Sequence, residues 1–235
     1  METFTYFCRM KNLAVITGAS KGIGLAITEK FLAQGFEVAI CARNLESLVQ
    51  IQNQYGKEKV HIFSADLSQK EQVFNFANFV KHLAIPIKVL VNNAGIFIPG
   101  SLLEEDHLQI HLDTNLWSAY YLTKALIPSL QESYIFNICS IASLAAYPRS
   151  GSYAISKFAL LGFTKSLRQE LLGSKIRVSA VLPGATLTDS WEGTTLPSER
   201  FISPKDVAEM IWAAYGLSPS ACVEEIIIRP QQGDI

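Results

Sequence analysis

Leu13-Ala14-Val15-Ile16-Thr17-Gly18-Ala19-Ser20-Lys21-Gly22-Ile23-Gly24 runs from an apolar, β-branched segment straight into a glycine-rich turn. Leu13–Thr17 has the composition of a buried strand, and the residues near 22–34 carry a helical pattern. Between them the glycines allow a tight reversal, and they let the backbone approach a ligand with no Cβ in the way. The free amides that open the following helix then face outward, where the helix dipole favours a pyrophosphate. A glycine-rich turn alone is often a plain connection; the strand–turn–helix context is what makes it a binding motif.

The same alternation continues along the chain. Strands are expected at Leu13–Thr17, Glu37–Ala42, Val60–Ser64, Val89–Asn92, Tyr134–Ile138, Arg177–Leu182 and Glu225–Ile228, with helices near 22–34, 44–54, 69–83, 103–131, 152–172 and 204–215. Strand hydrophobicity is continuous rather than alternating. This predicts a sheet buried on both faces, and therefore parallel strands joined by crossover helices. The expected fold is α/β: a doubly wound parallel sheet of about seven strands with helices on both faces. Residues 10–235 read as a single domain without linker or repeat. Met10 stands just ahead of the first strand, so residues 1–9 read as a non-functional extension, with translation from Met10 as the alternative. The irregular stretch Thr186–Pro204, rich in Ser, Thr, Gly and Pro, lies on the carboxyl side of the strands, where such sheets bind ligands.

With 235 residues, 49% hydrophobic and 17% charged, the chain suits one large domain. A net charge of −1 offers no broad positive field for a polyanion, which argues against nucleic acid. No apolar run approaches the ~18 residues of a membrane span, and the start lacks the basic-then-apolar order of a secretion signal. Cys8, Cys41, Cys139 and Cys222 stand too far apart for a zinc or dithiol motif. They read as reduced thiols of a cytoplasmic protein, two of them buried.

Tyr153 and Lys157 are four residues apart in a helical pattern, so both project from one face. A phenol ordinarily titrates at ~10, and a nearby ammonium favours its ionised form, which suits acid–base work near neutrality. Most such pairs merely pack and solvate, so the neighbours matter. Ser140 ends the fifth strand thirteen residues earlier, at the edge of the ligand crevice, where its hydroxyl can bind a carbonyl. A plain turn serine is the alternative, and Ser143 lies close by. Asn115 falls inside a helix, where Asn costs stability and burial needs a reason.

Taken in order, Thr17-Gly18-x-x-x-Gly22-x-Gly24, Asp66, Asn92-Asn93-Ala94-Gly95, Asn115, Asn137-Ile138-Cys139-Ser140, Tyr153 with Lys157, and Pro183-Gly184 with Thr188 resemble the short-chain dehydrogenase/reductase family from Met10 to the end of the chain. The resemblance implies a Rossmann-type sheet and a nicotinamide dinucleotide held by Gly18, Ser20, Lys21, Gly22, Ile23 and Gly24. It further implies that Asp66 and Leu67 hold the adenine end, although Asp66 also suits a helix N-cap. Asn92, Asn93, Ala94 and Gly95, with Ile96 beside them, would line the cofactor; Pro183, Gly184 and Thr188 would contact its nicotinamide half. Tyr153 and Lys157 would reach it too.

Charge argues for the phosphorylated cofactor. The second strand ends Ala39-Ile40-Cys41-Ala42-Arg43-Asn44, without the acid that bonds a free ribose 2′-hydroxyl. Arg43 can fork onto a 2′-phosphate and Lys21 can add a second charge, so NADP(H) is expected over NAD(H). The alternative is two ordinary surface cations at helix starts.

The implied reaction is hydride transfer between the nicotinamide and a carbonyl or secondary alcohol on a small molecule. Tyr153 acts as general acid/base, Ser140 polarises the oxygen, Lys157 tunes Tyr153 and binds ribose, and Asn115 with a water resupplies the proton. A catalytically silent NADP(H)-binding regulator or scaffold of the same fold is the alternative. His107 and His111 have metal-ligand spacing, but the helix start reads as acidic and exposed with no third ligand, so no metal is expected. Strand alternation turns Cys139 away from Ser140 as a buried thiol. Trp191, Leu196 and Phe201 in the loop near 186–203, with Ala145, Ala146, Tyr147 and Pro148, suggest a partly apolar pocket or simple packing. Family relatives pair through the two long helices, where Tyr120, Tyr121 and Phe163 suit an apolar interface, with intramolecular core as the alternative, so a homodimer or homotetramer is expected.

Overall fold

Seven parallel strands in the order β3-β2-β1-β4-β5-β6-β7 make up the sheet of the computed structural model, which describes residues 12–235. The expected extension, residues 1–9, lies outside the described residues. The strands are β1 (Leu13–Thr17), β2 (Glu37–Ala42), β3 (Val60–Ser64), β4 (Ile87–Asn92), β5 (Leu130–Ile138), β6 (Arg177–Pro183) and β7 (Glu225–Ile228). Helices α1 (Gly22–Ala33), α2 (Leu45–Tyr55) and α3 (Lys70–His82) connect the first four. Beyond β4 come α4 (Leu108–Leu112), a wide π turn (Asp113–Trp117) and α5 (Ser118–Leu126), then α6 (Gly151–Glu170) and α7 (Pro204–Tyr215).

Continuous strand hydrophobicity has a direct structural cause. Ala14 and Ile16 of β1 pack into a core with Phe31 of α1 and Ile211 of α7. Leu13 and Val15 pack into the opposite core with Val73 and Phe76 of α3 and Leu122 of α5. Both faces of β1 are therefore apolar, and all five of its residues are buried. The edge strands β3 and β7 depart from this and are partly exposed, as are Gln131 and Glu132 near the start of β5. Each Leu or Ile fully removed from water contributes roughly 1.5–3 kcal/mol against the chain entropy.

β1 lies between β2 and β4, so successive connections run to opposite sides from that point. The crevice this opens at the carboxyl ends of the strands is where a doubly wound sheet takes its ligand.

The helix expected over 103–131 is shorter and irregular. It begins at Leu108 and ends at Leu126, and Ile127–Ser129 form a tight 3-10 turn containing Pro128. Proline cannot donate the next helical bond, and Leu130 already pairs with Ile87 in the sheet. The irregularity at 113–117 puts one extra residue into a helical turn, a feature that often marks functional sites.

Candidate active site

The glycine turn is held by close backbone approach. Gly18 has φ +63°, and a Cβ there would come within 2.9 Å of Ala94 Cα. At Gly24 a Cβ would lie 2.3 Å from the Gly18 carbonyl oxygen, so no larger residue fits without displacing the turn. Asn93 stitches this turn to the end of β4: its Nδ2 donates to the Thr17 and Gly18 carbonyls at 2.8 and 3.0 Å. Thr17 Oγ1 accepts from the amides of Asn93 and Ala94, both at 2.9 Å.

Lys21 precedes α1 in extended conformation, and no side chain caps the helix there. The amides of the first turn, from Gly22 and Ile23 onward, therefore meet the crevice with their donors available. Ser20 stands beside them in the turn, and Thr188 closes the other side, its Cγ2 3.0 Å from where a Gly22 Cβ would be. These residues fit the pyrophosphate of a dinucleotide: a bare backbone cradle, uncapped amides and the positive end of a helix dipole.

Around this cradle the expected residues divide by what they touch. Arg43 follows β2 with an exposed side chain, and its carbonyl accepts from Ser64 Oγ at 3.1 Å. Lys21 Nζ instead pairs with Asp189 Oδ2 of the 186–203 loop at 2.6 Å. That hydrogen bond and charge hold the Asp189 carboxyl below its usual range. Asp66 does not cap α3. Its Oδ1 accepts from Ser68 N and Oγ at 3.0 and 2.8 Å, closing a turn ahead of the helix, while Gln69 occupies the cap position. Leu67 puts its side chain into the core against α3. Asn92 lies buried under the site, its Nδ2 donating to Thr123 Oγ1 and Asn137 Oδ1 at 2.9 and 2.7 Å. Pro183 ends β6, and Gly184 donates to the Ile228 carbonyl at 2.8 Å.

At the end of β5, Ser140 Oγ accepts from Ala142 N at 3.1 Å, and Ser143 Oγ accepts from Ser140 N at 3.3 Å. This capping box fixes Ser140 and leaves its hydroxyl hydrogen as a donor. The two α6 residues share a face as their spacing requires. Lys157 Nζ is 5.7 Å from the Tyr153 ring centroid and donates to the Ile138 carbonyl at 2.8 Å. Lys157 is buried, with 5% exposure, so its charge acts with little screening.

Asn115 occupies the π turn with 1% exposure. Its Oδ1 accepts from Ile96 N at 2.7 Å, and its Nδ2 donates to the Ile96 carbonyl and Ser156 Oγ at 3.1 and 2.9 Å. The burial of this helical Asn thus has its reason: both edges of the amide hold the segment that follows β4. Gly95 binds the group together. A Cβ on it would lie 3.1 Å from Asn115 Oδ1 and 3.6 Å from Lys157 Nζ.

Two discounted signals take definite form. Cys139 is buried, and burial pushes its thiol up to about 11 against the opposing charge of Lys157. His111 is fully buried rather than exposed, as the acidic helix start had suggested. Its Nδ1 donates to the His107 carbonyl at 2.7 Å and its Nε2 accepts from Ile98 N at 3.1 Å. His107 Nε2 faces Glu105 at 3.1 Å. Both imidazoles thus have hydrogen-bonding partners within residues 98–111, and among the described residues no group of three or more His, Cys, Asp or Glu is arranged to hold a metal ion.

Phe97 and Asp189, which sequence reasoning did not single out, and His111, which it weighed only as a metal ligand, lie against the expected site residues. Phe97 meets the Tyr153 ring edge-on at 5.0 Å, and His111 meets it at 6.0 Å. The spacing of His111 to Asn115 was available as a signal, since residues four apart share a helix face. In the loop, Trp191 packs edge-on to Phe201 at 5.0 Å, and Phe201 is buried, so this pair is packing; Leu196 is exposed.

Comparison with known proteins agrees with this geometry. The sequence model of the short chain dehydrogenase family matches residues 12–197. A sepiapterin reductase of Chlorobaculum tepidum is 33% identical over 96% of this chain and 99% of its own. An uncharacterized oxidoreductase of Staphylococcus saprophyticus is 30% identical over 93% and 97%. Among solved structures, an alcohol dehydrogenase of the archaeon Thermococcus sibiricus complexed with 5-hydroxy-NADP has TM-score 0.85 and 27% identity over 94% of this chain and 97% of its own. An actinorhodin polyketide ketoreductase variant with NADPH has TM-score 0.84 and 26% identity over 96% and 98%. With its glycine cradle at the β1/β4 switch and its Tyr153–Lys157 helix beside it, the chain belongs to the short-chain dehydrogenase/reductase family of oxidoreductases.

Proposed function

We propose that this protein is a cytoplasmic NADP(H)-dependent reductase of a small-molecule carbonyl, working over residues 10–235 with the loop near 186–203 covering the substrate. The observation that carries the reading is the Tyr153 ring beside the buried Lys157 ammonium, 5.7 Å from centroid to Nζ, next to Gly95 and Asn115. When bound, the dinucleotide supplies the hydride.

The chain's own residues do the rest. Ser140 donates its hydroxyl hydrogen to the substrate oxygen and fixes its direction. Tyr153 gives the same oxygen its proton, a contribution of typically ~10²–10⁴-fold. Lys157 stabilises the charge left on the phenol oxygen and reaches the ribose. Asn115 holds the floor of the site through Ile96, and its wide turn suits a proton path to Lys157. Oxidation of an alcohol uses the same groups in reverse.

Gly18, Ser20, Gly22, Ile23 and Gly24 hold the pyrophosphate. Asp66 and Leu67, the latter through its backbone, hold the adenine end; Asn93, Ala94 and Gly95 support the middle; Pro183, Gly184 and Thr188 meet the nicotinamide. Arg43, exposed at the end of β2 with no acid beside it in sequence, binds the 2′-phosphate, and Lys21 joins it on leaving Asp189. NADP-bound relatives support that choice. The protein acts as a homodimer or homotetramer through the Trp117, Tyr120, Tyr121 and Phe163 ring cluster on the π turn, α5 and α6.

The test is NADPH consumption against ketones, aldehydes, acyl thioesters and pterins, with NADH and Arg43→Ala in parallel. Turnover with at least one class, and weaker NADPH binding in Arg43→Ala, is expected. Tight NADPH binding without turnover of any class would favour a silent regulator; equal NADH affinity untouched by Arg43→Ala would refute the cofactor preference.

A further inference from the structure

We propose that His111 and Asn115 clamp the segment Ile96–Ile98 from one helix, and that neutral His111 is thereby a positioning residue that seats Phe97 against Tyr153. This rests on the reading of Tyr153 as proton donor. Ile96 is held at both its amide and its carbonyl by Asn115, and the Ile98 amide by His111 Nε2. Phe97 lies between these two anchors. Its ring meets Tyr153 at 5.0 Å and is 44% exposed, so one surface of it is left for a substrate group beside the carbonyl.

The clamp requires one protonation state. Nε2 accepts the Ile98 hydrogen while Nδ1–H donates to the His107 carbonyl, which fixes the neutral Nδ1–H tautomer. A proton added at Nε2 would set N–H against N–H and release Ile98. The groups facing the ring all oppose that proton or are neutral. His107 lies on the same helix, paired with Glu105, while Lys157 and Tyr153 come from α6. The segment packed against Nε2, residues 96–98, carries no titratable side chain. Burial first, then the charges of His107 and Lys157, keeps the ring below its ordinary range, opposed by the bond to the His107 carbonyl.

Two substitutions separate the two nitrogens. His111→Gln places an amide oxygen near Nε2 and keeps the acceptor for Ile98; His111→Asn keeps a donor near Nδ1 and loses that acceptor. The experiment reads Ile98 amide exchange, corrected for intrinsic rates, together with kcat/KM for NADPH-dependent reduction, from about pH 5 to about pH 8. In wild type, Ile98 protection should fall at least about tenfold toward low pH. In His111→Gln it should stay high throughout, and in His111→Asn low throughout. Turnover should follow: kcat/KM falls about tenfold in His111→Asn, carried by kcat, with NADPH affinity within about twofold and rescue by His111→Gln. Ile98 protection indifferent to pH and to His111→Asn would overturn the clamp. Wild type that turns over no carbonyl would defeat the reductase reading instead, and Ile98 exchange would still judge the clamp.

Discussion

Lys21 Nζ stands 2.6 Å from Asp189 Oδ2, an exposed ion pair that ties the glycine turn to the 186–203 loop across 168 residues of sequence. The loop is thus fastened to the residue proposed to meet the 2′-phosphate, and cofactor and carboxylate compete for one ammonium. Exposed pairs of this kind are worth ~0–1 kcal/mol. Asp189→Asn should therefore tighten NADPH binding by about two- to fivefold and leave NADH unchanged. Fluorescence titration of both cofactors checks this; a weaker NADPH complex would show that Asp189 helps to hold the cofactor.

The cradle tolerates no side chain at Gly24, where a Cβ would press on the Gly18 carbonyl at 2.3 Å and on Asn93 Nδ2 at 2.5 Å. Both contacts belong to the stitching between β1 and β4. Gly24→Ala should cost about 1–3 kcal/mol of stability and weaken NADPH binding. Gly162→Ala, where the added Cβ meets nothing within 4 Å, should do neither. Thermal melts with and without NADPH distinguish the two.

His111 makes stability depend on pH in a definite direction. The unfolded imidazole takes up its proton near ~6.5, and the folded ring does so lower, chiefly because it is buried. In the window between them the unfolded chain binds more protons, so stability rises with pH there. The contribution is full above the unfolded value and is lost as pH falls through the folded one. Urea melts across that window should show the slope in wild type and a reduced one in His111→Gln. An unchanged slope would assign the effect elsewhere.

An aromatic group spans the π turn, α5 and α6: Tyr120 meets Phe163 at 5.5 Å and Trp117 stacks on Tyr121 at 5.8 Å, with Trp117 37% exposed. Trp117→Glu should split the proposed oligomer, and sedimentation at micromolar concentration should show the mass fall. A wild-type protein that sediments as a monomer would remove the oligomer from the account.

The sheet was legible because the central strands β1, β2, β4 and β6 are buried almost throughout on both faces, and that condition writes itself as unbroken apolar runs such as Leu13–Thr17. Ser140, Tyr153 and Lys157 could be singled out because each is tied to the end of a strand or to helical spacing, whereas Asn115 came only from the family resemblance. The π turn at 113–117 was not legible, since one extra residue in a helical turn leaves no trace in a periodic pattern. His111 was misjudged for a related reason. Its acidic neighbours describe the start of the helix, whereas its burial depends on α6 and the 96–98 segment folding over it. The pairing of Lys21 with Asp189 depends on the path of an irregular loop, which composition does not encode.

Tyr153→Phe tests the central claim most directly, because it removes one hydroxyl and leaves the ring contacts with Phe97 and His111 in place. NADPH-dependent carbonyl reduction should fall by about 10²–10⁴-fold while NADPH affinity stays within about threefold. Retention of wild-type turnover in Tyr153→Phe would contradict the account.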